Sequence, residues 1–198
     1  MISAQGLTKL YGDFTAVRGV TFDVAPGEIL GLVGPNGAGK TTTLRCLAGI
    51  ITPTNGTIAI AGHTMDDDPI AAKRALAFIP DEPHLFEYLS VEEHLRFIAR
   101  MYGVPDPETR LPALLAEMEL SEKGLSLPGE LSRGMRQKVV IGCGLVRHAT
   151  TLLFDEPLTG LDPIGIRRMR DTIRRRAREG ASILVSSHLL HLVEEVCS

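Results

Sequence analysis

Gly34-Pro35-Asn36-Gly37-Ala38-Gly39-Lys40-Thr41-Thr42 places Gly34, Gly39, Lys40 and Thr41 at the fixed positions of the pattern G-x-x-x-x-G-K-[ST]. The apolar run Ile29-Leu30-Gly31-Leu32-Val33 before it reads as a short buried strand. Thr42 to Gly49 after it reads as the first turns of a helix. A loop between a strand end and a helix start is the setting in which this pattern has chemical meaning. Glycines without Cβ atoms let successive backbone N–H groups turn inward around an anion. The helix aims its free N–H groups and positive dipole end at the same point. Lys40 can reach the β- and γ-phosphates of a nucleotide, and Thr41 can offer its hydroxyl to Mg²⁺. The stretch implies a nucleoside triphosphate and nothing narrower.

The 198 residues suffice for one substantial core and a small second lobe. A composition 44% hydrophobic and 23% charged is that of an ordinary globular protein. The net charge of −3 gives no electrostatic case for nucleic acid. No apolar run approaches the roughly 18–20 residues needed to cross a bilayer. Met1 to Gly6 lacks the basic and apolar regions of a signal peptide. Cys46, Cys143 and Cys197 have no metal-ligand spacing and are expected to be small buried hydrophobes in a reducing compartment. The expected location is the cytosol, with any membrane crossing left to another chain.

Residues Ser3 to Val24 read as strands around a turn at Tyr11-Gly12-Asp13. Tyr11, just ahead of the glycine-rich loop, could stack on a base or simply pack at a sheet edge. Thr52 to Gly56 reads as a turn, Thr57 to Ala61 as a strand, Ile70 to Arg74 as a short helix behind an acidic cap, and Leu76 to Ile79 as a buried strand. The character then changes. Ser90-Val91-Glu92-Glu93 is a capping box ahead of an apolar stripe Val91, Leu95, Ile98, Met101. A second helix lies between Asp106 and Leu120, expected to start or restart near Pro112, and a third runs from Ser132 to about Arg147. Thr151 to Phe154 and Ser182 to Ser186 are further buried strands around a basic amphipathic helix, Ile164 to Glu179, whose arginines are expected to face solvent. Parallel strands with crossover helices collect their ligands at the strands' carboxyl ends. The glycine-rich loop, Asp155-Glu156 and Ser187-His188 all lie at such ends.

Asp155 follows four apolar residues, the setting of an aspartate that holds Mg²⁺ through water. Glu156, one step further, can orient and deprotonate an attacking water, which favours hydrolysis over transfer to an organic acceptor. His188 can donate to the γ-phosphate or hold that water in line. His63, His84, His94, His148 and His191 are expected to be ordinary surface or packing residues.

Together these features resemble the ATP-binding cassette (ABC) family, specifically the ATPase subunit of a transporter, over essentially the whole chain. Gly34, Pro35, Asn36, Gly37, Ala38, Gly39, Lys40, Thr41 and Thr42 match Walker A, and Leu152 to Asp155 match Walker B, followed by the catalytic Glu156. By resemblance, Tyr11 is the adenine-stacking aromatic and Val17 its apolar neighbour. Leu131-Ser132-Arg133-Gly134-Met135-Arg136-Gln137 occupies the place of the family signature, Gly160-Leu161-Asp162 that of the D-loop, and His188 that of the switch histidine. The fold implied is α/β: a P-loop NTPase (RecA-like) core with an N-terminal antiparallel β subdomain and an inserted α-helical subdomain. Residues 1–82 and 148–198 would form the first two parts and 83–147 the third. The chain stops at Ser198, where members usually continue, so the end of the usual domain is expected to be absent.

The resemblance further implies ATP and Mg²⁺ as cofactors. It implies a head-to-tail pair with a second such subunit, identical or not, in which Ser132 and Gly134 complete the partner's ATP site. It implies a separate membrane-spanning permease subunit, so that the chain sits peripherally on the cytoplasmic face of the membrane. Three positions depart from the family. Arg133 and Met135 replace the common glycine and glutamine, a form that looks like cassettes serving ABC-2 type, often exporting, permeases. Asp81 stands where glutamine usually touches Mg²⁺ and water, and the metal role carries over to it by resemblance. A soluble cassette ATPase acting on ribosomes or DNA, and a non-hydrolysing regulatory partner, are the alternatives. One cassette without heptad runs speaks against the first, and the presence of Glu156 and His188 against the second.

Overall fold

The structure, a computed structural model, describes residues 1–197; Ser198 and the side chains of His191 and Leu192 lie outside the described residues. Two four-stranded sheets organise the chain. Strands β1 (Ile2–Tyr11), β2 (Phe14–Val24), β4 (Asn55–Ile60) and β5 (His63–Thr64) form an antiparallel sheet of order β2-β1-β4-β5. Strands β3 (Ile29–Val33), β6 (Leu76–Ile79), β7 (Thr151–Asp155) and β8 (Ser182–Ser187) form a parallel sheet of order β3-β8-β7-β6. Helices α1 (Lys40–Leu47), α2 (Pro69–Ala75), α3 (Val91–Met101), α4 (Pro107–Glu117), α5 (Arg133–Leu145), α6 (Pro163–Arg178) and α7 (Leu190–Cys197) complete it.

Strands β7 and β8 are buried at every residue, which is why they read as unbroken apolar runs. Their pleat divides them between two cores. Leu153 and Leu184 point with Leu44 and Leu47 of α1 toward the antiparallel sheet. Leu152, Phe154, Ile183 and Val185 point the other way, into a core shared with α3, α4, α5 and α6. The helices of residues 91–145 therefore grow directly from one face of the parallel sheet. Helix α5 lies close against β6: a Cβ on Gly144 would meet Ile79 Cδ1 at 2.9 Å, so only glycine permits this approach. Gln137, also on α5 and buried, donates from Nε2 to the Pro80 carbonyl at 3.1 Å.

Helix starts follow the caps. Ser90 accepts from the Glu93 amide while Glu93 accepts from the Ser90 amide. Asp68, Ser132 and Asp162 cap α2, α5 and α6 by the first of these bonds alone, each accepting from the amide three residues on.

Several expectations need correction. Helix α4 runs through Pro112 without restarting. Pro112 is exposed and lacks only the amide that would reach the Glu108 carbonyl, so the helix loses one bond and continues. Strand β4 begins at Asn55 and takes in the predicted turn residues Asn55-Gly56, because a register shift in β1 between Gln5 and Thr8 carries the pairing onward. The arginines of α6 are not simply solvated. Arg175 and Arg176 pair with Glu117 of α4, Arg168 with Glu119, and Arg170 with Glu195 of α7. His94, by contrast, is a packing residue as expected: it is buried, its Nδ1 donates to the Ser90 carbonyl at 2.7 Å and its Nε2 accepts from the Phe86 amide at 2.9 Å. Cys46 is buried and Cys143 packs against the core, its thiol pushed up to about 12 by burial, but Cys197 is exposed.

Candidate active site

Strand register assembles the site. In the parallel sheet Asp155 lies beside Ser186, Val33 beside Ser187, and Phe154 beside Ile79. The residues that follow these strand ends, Gly34, Glu156, His188 and Asp81, are thereby delivered to one edge. Glu156, His188 and Asp81 border a cavity of about 430 Å³, within the ordinary size range of small-molecule sites. Its floor is the glycine-rich loop and the start of α1, contributed by Asn36, Gly37, Gly39, Lys40, Thr41 and Thr42. One wall holds Asp81, Glu156, Thr159 and His188. The other holds Tyr11, Phe14 and Ala16.

The loop geometry is that of an anion cradle. Gly39 caps α1 with φ of 87°, and a Cβ there would stand 2.3 Å from the Ala16 carbonyl oxygen. Both facts require glycine. Helix α1 then starts at Lys40 without a side-chain cap, leaving its first amides to a ligand. Lys40 is buried; its Nζ donates to the carbonyls of Gly34 at 2.7 Å and Pro35 at 3.1 Å and stands 3.5 Å from Glu156 Oε1.

A hydroxyl network fixes the acidic wall. Asp155 is buried, and its Oδ1 accepts from Thr41 at 3.2 Å and from Ser186 at 2.7 Å. Ser186 Oγ in turn accepts the Glu156 amide at 3.0 Å. Glu156 has φ of 49°, an uncommon conformation for a residue with a side chain, held here by that bond. Its Oε2 is 2.8 Å from His188 Nδ1, which as the donor leaves Nε2 the free ring nitrogen. The carboxylate is thus aimed by His188 on one oxygen and Lys40 on the other. Such an arrangement can hold a water in line with a terminal phosphate and take its proton.

The donors suit Mg²⁺. Among the described residues no cluster of three or more His, Cys, Asp and Glu converges on a metal position. Mg²⁺ does not need one, because it keeps waters and takes phosphate oxygens together with one or two protein groups. Thr41, Asp155 and Asp81 offer a hydroxyl and two carboxylates beside the phosphate cradle. Asp81 Oδ1 is enclosed and accepts no hydrogen bond, its charge contact being Arg133 Nη2 at 3.8 Å, and an oxygen so placed is of the kind a hydrated cation satisfies. Burial pushes the Asp81 carboxyl up, Arg133 opposes this, and Asp155, Glu156 and Glu82 add to it. A cation would relieve that crowding of negative charge.

Not every predicted residue reaches the cavity. Val17 is buried beneath the loop, its Cγ2 3.4 Å from the Cβ position of Gly39; Ala16 borders the cavity instead. Phe14, exposed and paired with Tyr11 across the hairpin, is an aromatic wall that sequence reasoning missed, though its place beside the predicted turn was a signal. Ser186 was likewise missed, and only strand register reveals it. Ser132 and Gly134 do not border the cavity of their own chain.

Comparison with known proteins agrees with this geometry. The family model described as ABC transporter matches residues 17–159. The chain is 36% identical to the ABC-type transporter ATP-binding protein EcsA of Bacillus subtilis (strain 168), covering all of this chain and 81% of that protein. It is 39% identical to the SkfA peptide export ATP-binding protein SkfE of the same organism, over 98% of this chain and 82% of that one. A solved structure of the ATP binding subunit of an ABC transporter superposes with a TM-score of 0.93 at 38% identity, covering 100% of this chain and 83% of that chain. The fold also matches a dimeric ATP-binding cassette bound to ADP and Pi, with a TM-score of 0.87 at 24% identity, covering 98% and 91% of the two chains. The chain belongs to the ABC transporter family, as an ATP-binding and ATP-hydrolysing subunit with the P-loop NTPase fold.

Proposed function

We propose that this subunit drives export through a separate membrane-spanning permease, by closing head to tail on a second ATPase subunit around two ATPs. The observation that carries the pairing is the placement of Ser132. It caps α5 at an exposed helix N-terminus, next to Gly134, and stands outside the cavity of its own chain. An exposed helix start of this kind offers amides to a phosphate presented by a second copy.

Within each site the adenine lies against Tyr11 and Phe14, and the phosphates lie over the amides of Gly37 to Thr42. Lys40 takes the β- and γ-phosphates. Thr41, Asp155 and Asp81 would hold Mg²⁺, which would neutralise phosphate charge. Glu156 accepts the proton of a water as its oxygen bonds the γ-phosphorus. The bond to the bridging oxygen breaks, ADP leaves with that electron pair, and inorganic phosphate is released. His188 keeps Glu156 and the water aligned.

The helical segment, residues 83–147, is the unit that moves and passes closure to the permease. Phe86, Tyr88, Phe97 and Met101 are exposed apolar side chains on the segment that follows Asp81 in the chain, and they support a docking face there. Export is supported by the roles printed for relatives such as SkfE and, at 35% identity, the Nod factor export ATP-binding protein I of Ralstonia nicotianae. Attachment at the cytoplasmic face fits with the absence, among the described residues, of a helix able to span a membrane.

Glu156→Gln tests the reading. Turnover should fall on the order of 10²–10⁴-fold, the contribution of a general base. A stable dimer should accumulate with ATP in size-exclusion chromatography. Normal turnover would remove Glu156 as the base. A variant that binds ATP, fails to hydrolyse it and stays monomeric at every concentration would remove the sandwich.

A further inference from the structure

Two of the three positions named above as departures, Arg133 and Asp81, meet in space. Arg133 Nη2 stands 3.8 Å from Asp81 Oδ1, an ionic contact beyond hydrogen-bond length. Arg133 and Gln137 lie one turn apart on the same face of α5. Gln137 grips the Pro80 carbonyl while Arg133 reaches the very next residue. Helix α5 thus holds the Asp81 loop at two points of opposite character. The Gln137 bond is neutral and comes from a buried side chain; the Arg133 pair is ionic, with side chains 59% and 46% exposed. Arg133 also lies across Gly160, its Cδ and Nε each 3.7 Å from the Cβ position there, so its path runs over the loop that follows Glu156.

An aspartate beside Asp155 and Glu156 adds a third carboxylate to an acidic wall whose other cation is Lys40. Arg133 supplies the missing charge from the same chain. Exposed ion pairs are weak, and a divalent ion on the same carboxylate outcompetes them.

We propose that Arg133 is a positioning residue: it tethers the N-terminus of α5 to Asp81 of its own chain, and Asp81 releases it on taking up Mg²⁺ with the nucleotide. Release frees the start of α5, and with it Ser132, to meet a second subunit. Arg133 then carries its charge to that subunit's phosphates. The release half rests on Asp81 being a Mg²⁺ ligand; the tether does not.

Hydrogen–deuterium exchange of the full chain tests both halves, read at Leu131–Val139, with Arg133→Gln, Asp81→Asn and the charge swap Asp81→Arg/Arg133→Asp. Without nucleotide, each single variant should exchange about two- to five-fold faster than the wild type, as loss of an exposed ion pair allows. The swap should restore protection. Mg²⁺ with ADP should bring the wild type to the rate of Arg133→Gln, whereas ADP with a chelator should not. ADP is the probe because it lacks the γ-phosphate that would draw Ser132 into a dimer and mask the signal. The swap, with no carboxylate at position 81, should not respond to Mg²⁺, an outcome that a merely structural contact would not give. Equal rates for Arg133→Gln and wild type without nucleotide would overturn the tether. Unchanged wild-type protection with Mg²⁺ and ADP, while Gly34–Thr42 becomes protected, would overturn release. If Gly34–Thr42 shows no protection, the nucleotide assignment fails and release falls with it, while the nucleotide-free comparison still decides the tether.

Discussion

Glu156 sits in a left-handed backbone conformation because Ser186 holds its amide, and the same hydroxyl donates to Asp155. Ser186→Ala leaves that amide without its acceptor and frees Asp155 to turn. The expected cost is about 1–3 kcal/mol of stability, the penalty of an unmade buried hydrogen bond. ATP turnover should fall with it; urea unfolding and steady-state kinetics together check this, and unchanged kinetics would mean Glu156 keeps its place unaided. Gly39→Ala is more severe for binding. Its methyl would meet the Ala16 carbonyl, and its φ of 87° adds strain of about 1–3 kcal/mol. Calorimetry should show ATP binding lost, and retained affinity would contradict the cradle. At this scale the sequence is informative wherever chemistry follows from local spacing, as for Lys40, Thr41, Asp155, Glu156 and His188. Phe14, Ser186 and the Arg133–Asp81 contact are not legible in it, because each depends on which strand or helix lies beside it.

Elements were legible where a cap announces them. The Ser90–Glu93 box starts α3, and Ser90→Ala should lower stability by about 1 kcal/mol, as loss of an N-cap does. A shifted urea midpoint with an unchanged slope is the expected signature. Just after α5, His148 has φ of 52° and a pKa held below the ordinary histidine value, first by burial and then by Arg110 and Arg176. The folded chain therefore binds this proton less readily than the unfolded one. That contribution is full above about pH 6.5 and is lost as pH falls from there through the lower folded value. His148→Asn removes the titration and keeps a residue that tolerates the backbone. The drop in Tm between about pH 7 and pH 5 should be smaller in the variant, and an equal drop would acquit His148. Helix α4 and strand β5 were the poorly legible elements. A proline in an exposed turn costs one bond that neighbouring packing offsets, and a two-residue strand carries no period to detect.

Across the whole molecule, one carboxylate joins the helical segment to the helix behind the sheet. Glu117 of α4 accepts from Thr172 and pairs with Arg175 and Arg176 of α6. Glu117→Gln should lower stability by about 1–3 kcal/mol, since hydrogen bonds to charged groups are the stronger kind. The loss should shrink at high salt; a salt-independent loss would point to packing instead. The α/β architecture itself was legible from the alternation of apolar runs and helical stripes. The pairing of arginines was not, because a basic face looks the same whether water or a carboxylate covers it.

Strand β3, which leads into the glycine-rich loop, is an edge strand, and its one partner in the sheet is β8. The Gly34 amide itself donates to the Ser187 carbonyl. In chain order β8 comes after every other strand of the two sheets, so the ribosome delivers β3 long before its partner, and long-range pairing of this kind is slow to form. The antiparallel sheet, complete by Thr64, can form long before. A nascent chain should therefore stay blind to ATP until Ser187 has cleared the exit tunnel. Arrested chains of increasing length should acquire nucleotide binding in a single late step rather than by degrees.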